Sequence, residues 1–276
     1  MKLNNLATRA ITGSIYVLLI VFSIIIHPCF FYTVFAVFLL ASLVEFYSIV
    51  SSDTIKPINY QGIIISLSMF IITALINSNL IDYKYLALLI PLIFFCFIIE
   101  LFRNKTNPLQ NIAITLLGII YIAVPLSLML IFTNFLNEKN IFNTGLVLGF
   151  FILIWTNDTF AYLVGIKWGK NRLFERVSPK KSWEGSIGGL VFSIFGSIIL
   201  SYYFHELSTP EWIGMSIIIV IFGSLGDLVE SLFKRSLNIK DSGNILPGHG
   251  GILDRLDAVL IAAPFVFFYL ILIRFF

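Results

Sequence analysis

Apolar runs about as long as a membrane span recur from one end of the chain to the other. A helix needs about 20 mostly apolar residues to cross the hydrocarbon core of a bilayer. Only 12% of the residues are charged, against about 25% in typical soluble domains. The sequence therefore predicts an all-α polytopic integral membrane protein with about nine transmembrane helices. The nine segments lie at roughly 10–27, 29–50, 61–78, 84–102, 112–134, 145–166, 187–205, 212–233 and 256–275.

The basic residues indicate how these spans are oriented. If the N-terminus is cytoplasmic, all of the 18 lysines and arginines fall on the cytoplasmic side except Lys84, Lys139 and Arg274. Such an excess is what the positive-inside rule expects of a multi-pass protein. We therefore predict a cytoplasmic N-terminus in the cell (inner) membrane, with two long polar loops at about 167–186 and 234–255 on the cytoplasmic face.

The polar chemistry is unevenly distributed along the chain. Residues 1–140 offer apolar helices with short loops, whereas both long polar loops fall within 141–276. Glu45 and Glu100 lie near cytoplasmic ends of spans, and we interpret them mainly as side chains that reach the interface. The sequence thus predicts N-terminal transmembrane helices at 1–140 and a catalytic transmembrane region at 141–276, with its active site on the cytoplasmic side.

The run GSLGDLVES places oxygen-bearing side chains at helical spacing on an apolar segment. Asp227 and Glu230 are three residues apart, so one helix face can present both carboxylates. Two neighbouring carboxylates repel each other unless a cation lies between them. A hard divalent cation such as Mg²⁺ resolves that conflict. Pairing with Lys234 or Arg235 alone would resolve it equally well, so this helix leaves both interpretations open.

A second acidic pair, Asp254 and Asp257, follows the turn PGHGG and begins the last span. Acidic residues at a helix start are also ordinary partners of the helix dipole. Glycines in the turn would let the backbone approach a ligand, and the helix start would offer free N–H groups to phosphate oxygens. His249 is a candidate phosphate contact, although a histidine in a loop is more often a simple hydrogen-bonding residue.

The other long loop contains SPKKSWEG, with adjacent Lys180 and Lys181. Two lysines at a membrane surface often do no more than attract anionic lipid head groups. The loop follows a span in which Asn157 and Asp158 lie near the helix centre. Their polarity predicts a cavity that extends inward from this loop.

The two motifs together resemble the phosphatidate cytidylyltransferase family, the CDP-diacylglycerol synthases. SPKKSWEG resembles the second characteristic segment of that family, and the resemblance is firm over about 150–276. The long C-terminal signature of the family is matched here by Ser231, Lys234, Arg235, Lys240, Asp241, His249, Gly250, Gly251, Asp254, Arg255 and Asp257.

The resemblance implies a reaction of CTP with phosphatidate that gives CDP-diacylglycerol and pyrophosphate and requires Mg²⁺. It also implies a homodimer among membrane lipids, with no nucleic-acid partner, and allows a monovalent cation such as K⁺ beside the magnesium. We expect Asp227, Asp254 and Glu230 to bind the metal, and Asp227, Asp254, Lys234, Arg235 and Asp257 to be catalytic. The expected substrate-binding residues are Lys180, Lys181, Lys240, His249, Gly250, Gly251, Arg255, Asn157 and Asp158.

Two other functions are compatible with acidic residues in membrane spans. A CDP-alcohol phosphatidyltransferase also uses aspartates and Mg²⁺, but the clustered Asp-Gly and Ala-Arg motif of that family is missing here. A transporter should show paired broken spans in two related halves. In this chain both polar motifs and both long polar loops lie in the C-terminal half, which disfavours a transporter.

Overall fold

The computed structural model describes residues 5–135, 142–243 and 250–275. Within them, eight helices are long and apolar enough to cross a membrane, and they agree with the predicted spans after the first. Ahead of these eight lies α1 (Asn5–Ile26), whose residues Ile11–Ile26 form a shorter apolar stretch. The all-α polytopic fold is confirmed. The count of nine spans and the cytoplasmic N-terminus stay predictions.

The N-terminal half is built from helices with short connections. They are α2 (Pro28–Val50), α3 (Asn59–Asn77), α4 (Leu89–Arg103), which a 3₁₀ turn (Tyr83–Leu88) precedes, α5 (Pro108–Gly118) and α6 (Val124–Phe132). A π-helical turn, Ile119–Ala123, joins α5 to α6. It ends just before Pro125, which lacks the N–H group that a regular helix would use there.

The C-terminal half adds four long helices and one small hairpin. The helices are α7 (Gly145–Trp168), α8 (Trp183–Tyr203), α9 (Thr209–Ser236) and α10 (Leu253–Phe275). Between α7 and α8, β1 (Arg172–Phe174) pairs antiparallel with β2 (Ser178–Ser182). The sequence predicted only a loop here, because short exposed strands carry no clear alternation of apolar and polar residues.

The chain divides into two compact units. The first holds α1 to α6 with the segment Ile239–Arg255, and the second holds α7, the hairpin, α8, α9 and Leu256–Phe276. The predicted division into 1–140 and 141–276 stays a prediction.

Aromatic rings pack against one another within each unit, where they are buried in the first and partly exposed in the second. In the first unit, Phe31 and Phe35 of α2 are fully buried, and their ring centroids lie 4.3 Å apart. In the second unit, Phe160 of α7 stacks on Phe192 of α8 with centroids 3.7 Å apart. Phe222 of α9 and Phe265 of α10 stack in the same way at 3.5 Å. These ring contacts hold together the helices that carry the polar residues of the second unit.

Candidate active site

Helix α9 presents Asp227 and Glu230 on one face, as their spacing predicted, and Lys234 lies beside Glu230. Glu230 is 2% exposed, and its Oε2 lies 2.6 Å from the Nζ of Lys234, one turn further along the helix. A lysine one turn after a glutamate is the favourable order for such a pair. Asp227 lies one turn earlier than Ser231, with 3.5 Å between the Ser231 hydroxyl and the Asp227 carboxylate.

Asp257 of α10 joins these two carboxylates in the second unit. Asp227, Glu230 and Asp257 each offer one oxygen, and these oxygens all lie within 4.8 Å of one another. Helices α9 and α10 approach each other closely at Gly226 of α9, because this residue lacks a side chain. A Cβ at this position would lie 2.5 Å from the carbonyl oxygen of Asp257. The backbone contact at Gly226 therefore brings the three carboxylates together.

Lys181 supplies a positive charge to this carboxylate cluster. Its Nζ lies 2.6 Å from Oδ2 of Asp227, and it also donates to the carbonyl oxygen of Ser224 at 3.1 Å. Lys181 belongs to the SPKKSWEG motif and Asp227 to the GSLGDLVES run. This ion pair therefore shows that the fold brings the two polar motifs of the second unit together.

Glu184 holds the hairpin in place at the start of α8. Its carboxylate accepts hydrogen bonds from the backbone N–H groups of Lys170 and Asn171, and from the Asn171 amide at 2.8 Å. Ser182 caps α8 by accepting from the N–H of Gly185 at 3.1 Å. The motif thus forms the second strand, the helix cap and the carboxylate that ties the hairpin to the helix.

A cavity of about 600 Å³ lies beside this hairpin in the second unit. Asn157 and Asp158 of α7 line it, which agrees with the predicted polar cavity. Both motif lysines line it as well, together with Arg172, which the sequence did not single out. The lining residues that can form polar contacts through their side chains are Asn157, Asp158, Tyr162, Arg172, Lys180, Lys181, Ser182, Ser186, Ser224 and Asp227.

Asp254 belongs to the first unit, where it organises the turn at 250–253, at the start of α10. Its Oδ2 accepts the backbone N–H of Ser242 at 3.0 Å and that of Gly251 at 2.8 Å. Gly250 has a φ of +83°, a conformation that favours glycine. A Cβ there would also overlap the Asp254 carboxylate.

Protein carboxylates occupy the N–H group of the first residue of α10 and those of the two residues before it. Ile252 and Leu253 donate to Glu45 of α2, at 3.0 Å and 2.9 Å. With Gly251 bound to Asp254, three consecutive N–H groups are engaged. The expectation that this helix start offers free N–H groups to a phosphate is therefore not met at these three residues.

Comparison with known proteins decides the family. The model of the family described as "Cytidylyltransferase family" matches residues 7–273. This chain belongs to the cytidylyltransferase family. The match covers the N-terminal helices as well as the region that carries the signature.

Similar relatives of this cytidylyltransferase family member are named phosphatidate cytidylyltransferase. One from Staphylococcus haemolyticus (strain JCSC1435) is 35% identical over 233 residues, which are 82% of this chain and 85% of that relative. One from Bacillus subtilis (strain 168) is 42% identical over 145 residues, or 51% and 54% of the two chains. One from Staphylococcus aureus (strain COL) is 48% identical over 116 residues, or 41% and 44%. The last match spans less than half of its relative. The predicted resemblance to the phosphatidate cytidylyltransferase family is confirmed by the family model and by the long match to the Staphylococcus haemolyticus relative.

The structure groups the predicted site residues of this family member in two sets. The second unit holds Asn157, Asp158, Lys180, Lys181, Asp227, Glu230, Lys234, Arg235 and Asp257, and the first unit holds Lys240, Gly250, Gly251, Asp254 and Arg255. His249 lies outside the described residues. Arg235, Lys240 and Arg255 are exposed, and their roles stay predictions.

Two glutamates with defined contacts were not among the predicted site residues. Glu184 was visible as the acidic member of SPKKSWEG. Glu45 has no recognisable motif around it. Its partners lie about 200 residues further along the chain, so its neighbours in sequence do not indicate its role. Only the folded structure identifies its role.

Proposed function

We propose that this chain transfers a cytidylyl group from CTP to phosphatidate, giving CDP-diacylglycerol and pyrophosphate for phospholipid biosynthesis. The observation that carries the proposal is the carboxylate cluster of Asp227, Glu230 and Asp257 beside Lys181, in a chain of the cytidylyltransferase family. The cluster and the lysine are the charge pattern that two phosphate-bearing substrates require.

The carboxylate cluster fits a divalent metal ion. Three oxygen donors within 4.8 Å form a hard ligand set, and Mg²⁺ prefers such oxygens together with water and phosphate. Asp227, Glu230 and Asp257 would hold the ion, and the predicted contribution of Asp254 is part of the same proposal. When bound, Mg²⁺ would neutralise negative charge on the phosphates. The family resemblance also allows a monovalent cation such as K⁺ beside the magnesium.

The reaction needs no protein nucleophile. An oxygen of the phosphatidate phosphate attacks the α-phosphorus of CTP and forms the new phosphorus–oxygen bond. The bond from the α-phosphorus to the bridging oxygen breaks, and its electrons leave with pyrophosphate. Transfers of this kind are catalysed mainly by positioning and charge neutralisation. The task of the chain's own residues is therefore to bind both anions in line.

Basic side chains in and near the cavity would perform that positioning. Lys181 is held by the Asp227 carboxylate and the Ser224 carbonyl, so its ammonium group is oriented before a substrate arrives. Arg172 and Lys180 line the same cavity and are exposed to an incoming phosphate. Lys234 is fixed against Glu230. Preorganised cations of this kind bind developing negative charge without reorganising during the reaction.

The remaining parts of the proposal concern surroundings and assembly. The substrates are CTP and phosphatidate, the latter taken from the surrounding membrane lipids. The active site faces the cytoplasm from the inner membrane, where nucleotides are available. The protein works as a homodimer.

The test is product formation by the purified protein in detergent. The complete reaction contains CTP, phosphatidate and Mg²⁺. Three control reactions each differ in one respect: the first lacks phosphatidate, the second contains UTP instead of CTP, and the third contains a chelator. Mass spectrometry should detect CDP-diacylglycerol in the complete reaction, and no nucleotidylated lipid in the other three, including UDP-diacylglycerol in the reaction with UTP. A monodisperse protein that makes no cytidylylated lipid in any of several detergents would contradict the proposal.

A further inference from the structure

Glu45 is a buried carboxylate on α2 in the first unit. It is 5% exposed, and a carboxylate in such a position is costly unless hydrogen-bond donors satisfy it. Ile252 and Leu253 donate their N–H groups to its two oxygens, at 3.0 Å and 2.9 Å. The Ser242 hydroxyl lies at hydrogen-bond distance, 3.5 Å, from Oε2. Glu45 therefore binds the start of α10 and the segment before it.

The same turn is held from a second direction by Asp254. Ser242 offers its N–H to Asp254 and its hydroxyl to Glu45. Gly251 donates to Asp254, and the next two residues donate to Glu45. Three consecutive backbone N–H groups are thus shared between the two carboxylates, one bound to Asp254 and two bound to Glu45. A change at Glu45 therefore alters the backbone to which Asp254 binds.

Glycines in this segment make room for the Glu45 side chain. A Cβ on Gly243 would lie 2.6 Å from Oε1 of Glu45. A Cβ on Gly251 would overlap both the Glu45 carboxylate and the Ser242 hydroxyl. The backbone on both sides of the carboxylate is therefore shaped around it, which assigns Gly251 a packing role separate from any substrate contact.

We propose that Glu45 is a positioning residue that fixes the turn from which the Asp254 carboxylate is presented. It acts through the hydroxyl of Ser242 and the backbone N–H groups of Ile252 and Leu253. The inference rests on the proposed function, because Asp254 matters to catalysis only if the cytidylyl transfer is correct. Its structural part, the support of the turn, is independent of activity.

The test compares Glu45→Gln with the wild type by amide hydrogen exchange and by steady-state kinetics. Glutamine keeps the size of the side chain but turns an NH₂ group toward a backbone donor, so one hydrogen bond is lost. Exchange at Gly251, Ile252 and Leu253 should become at least about tenfold faster. The kcat should fall at least about tenfold, with the KM for CTP within about twofold of the wild type. Unchanged exchange at these amides would overturn the proposal.

Glu100 offers a matched control in the same unit. It is also buried, at 4% exposure, but it binds Arg103 at 2.7 Å and Asn111 at 2.6 Å instead of the turn. Glu100→Gln should leave the exchange of Gly251 to Leu253 unchanged. An equal acceleration in this variant would show a general loss of stability and overturn the specific role.

A second variant keeps the proposal testable if Glu45→Gln does not fold. Gly243→Ala retains the carboxylate but places a methyl group against it. It should accelerate exchange at Ile252 and Leu253 and lower kcat in the same direction. Wild-type exchange and kcat in Gly243→Ala would overturn the proposal. If exchange accelerates while the wild type itself makes no product, the support of the turn stands and the proposed function fails.

Discussion

The ammonium group of Lys181 and the carboxylate of Asp227 form an ion pair, with Nζ 2.6 Å from Oδ2. Lys181 lies on the second strand of the hairpin and Asp227 lies on α9. The pair therefore connects the cavity to the carboxylate cluster. Both side chains are partly accessible, at 25% and 39%. A substrate phosphate can therefore compete for the lysine without breaking a buried contact.

Replacing Lys181 with methionine should weaken substrate binding. The variant keeps the length of the side chain but removes the charge that would contact a phosphate, so the KM for the anionic substrate bound there should rise about tenfold. Steady-state kinetics with CTP and phosphatidate varied in turn will identify that substrate. Lys84→Met is the matched control, because Lys84 is exposed and its contacts are with its neighbours Asp82 and Tyr85. Equal kinetics in the two variants would remove Lys181 from the site.

Replacing Asp257 with asparagine should weaken metal binding. The variant removes one negative charge from a cluster of three carboxylates. The Mg²⁺ concentration that gives half the maximal rate should rise about tenfold. Binding of Mn²⁺ measured by electron paramagnetic resonance provides a readout that does not depend on turnover. If Mn²⁺ binds the variant as tightly as the wild type, the residue is not a metal ligand.

Two glycines of α9 should respond oppositely to alanine. At Gly226 the new Cβ would meet the Asp257 carbonyl at 2.5 Å, so the helices must separate, at a cost of about 1–3 kcal/mol. At Gly223 it would lie 3.6 Å from the Cβ of Ala258, an ordinary contact. Gly223→Ala should therefore be neutral or stabilising by up to about 1 kcal/mol, since alanine is the better helix former.

Thermal unfolding in detergent and turnover should separate these two variants. Gly226→Ala should unfold at a lower temperature and lose activity, because the carboxylate cluster opens as α9 and α10 move apart. Gly223→Ala should retain both. Matching unfolding temperatures in the two variants would contradict the close approach at Gly226.

Replacing Glu184 with alanine should loosen the hairpin. The variant removes the acceptor for the Lys170 and Asn171 N–H groups, so these amides should exchange about tenfold faster. Lys180 and Lys181 lie on the same hairpin, and the KM for substrate should rise as they lose their fixed positions. Glu175→Ala is the control, since Glu175 is exposed on the hairpin outside that set of bonds. Slow exchange in Glu184→Ala would show that other contacts hold the hairpin.

The sequence was most informative where a single local pattern determines the structure. Continuous apolar runs located the long helices, and three-residue spacing placed Asp227 and Glu230 on one face of α9. The resemblance to phosphatidate cytidylyltransferases rested on a long signature, and the family assignment confirms it.

The sequence was least informative where distant segments meet. The hairpin carries no clear alternation of apolar and polar residues, so Arg172 could not be placed in the cavity. Glu45 was interpreted as an interfacial residue, because its partners at Ile252 and Leu253 become neighbours only on folding. The glycines near Asp254 were read as a ligand contact, whereas the structure shows that they also make room for protein carboxylates.

Transfer of label from CTP to lipid tests the central claim most directly. Purified protein is given phosphatidate and CTP labelled at the α-phosphate, with Mg²⁺ or with chelator, beside Asp227→Asn and the exposed control Asp82→Asn. We predict label in the lipid for the wild type and Asp82→Asn with Mg²⁺, none with chelator, and a loss of about 100-fold or more in Asp227→Asn. Undiminished labelling by folded Asp227→Asn would contradict a reaction centred on this carboxylate cluster, and no labelling by the wild type would contradict the reaction itself.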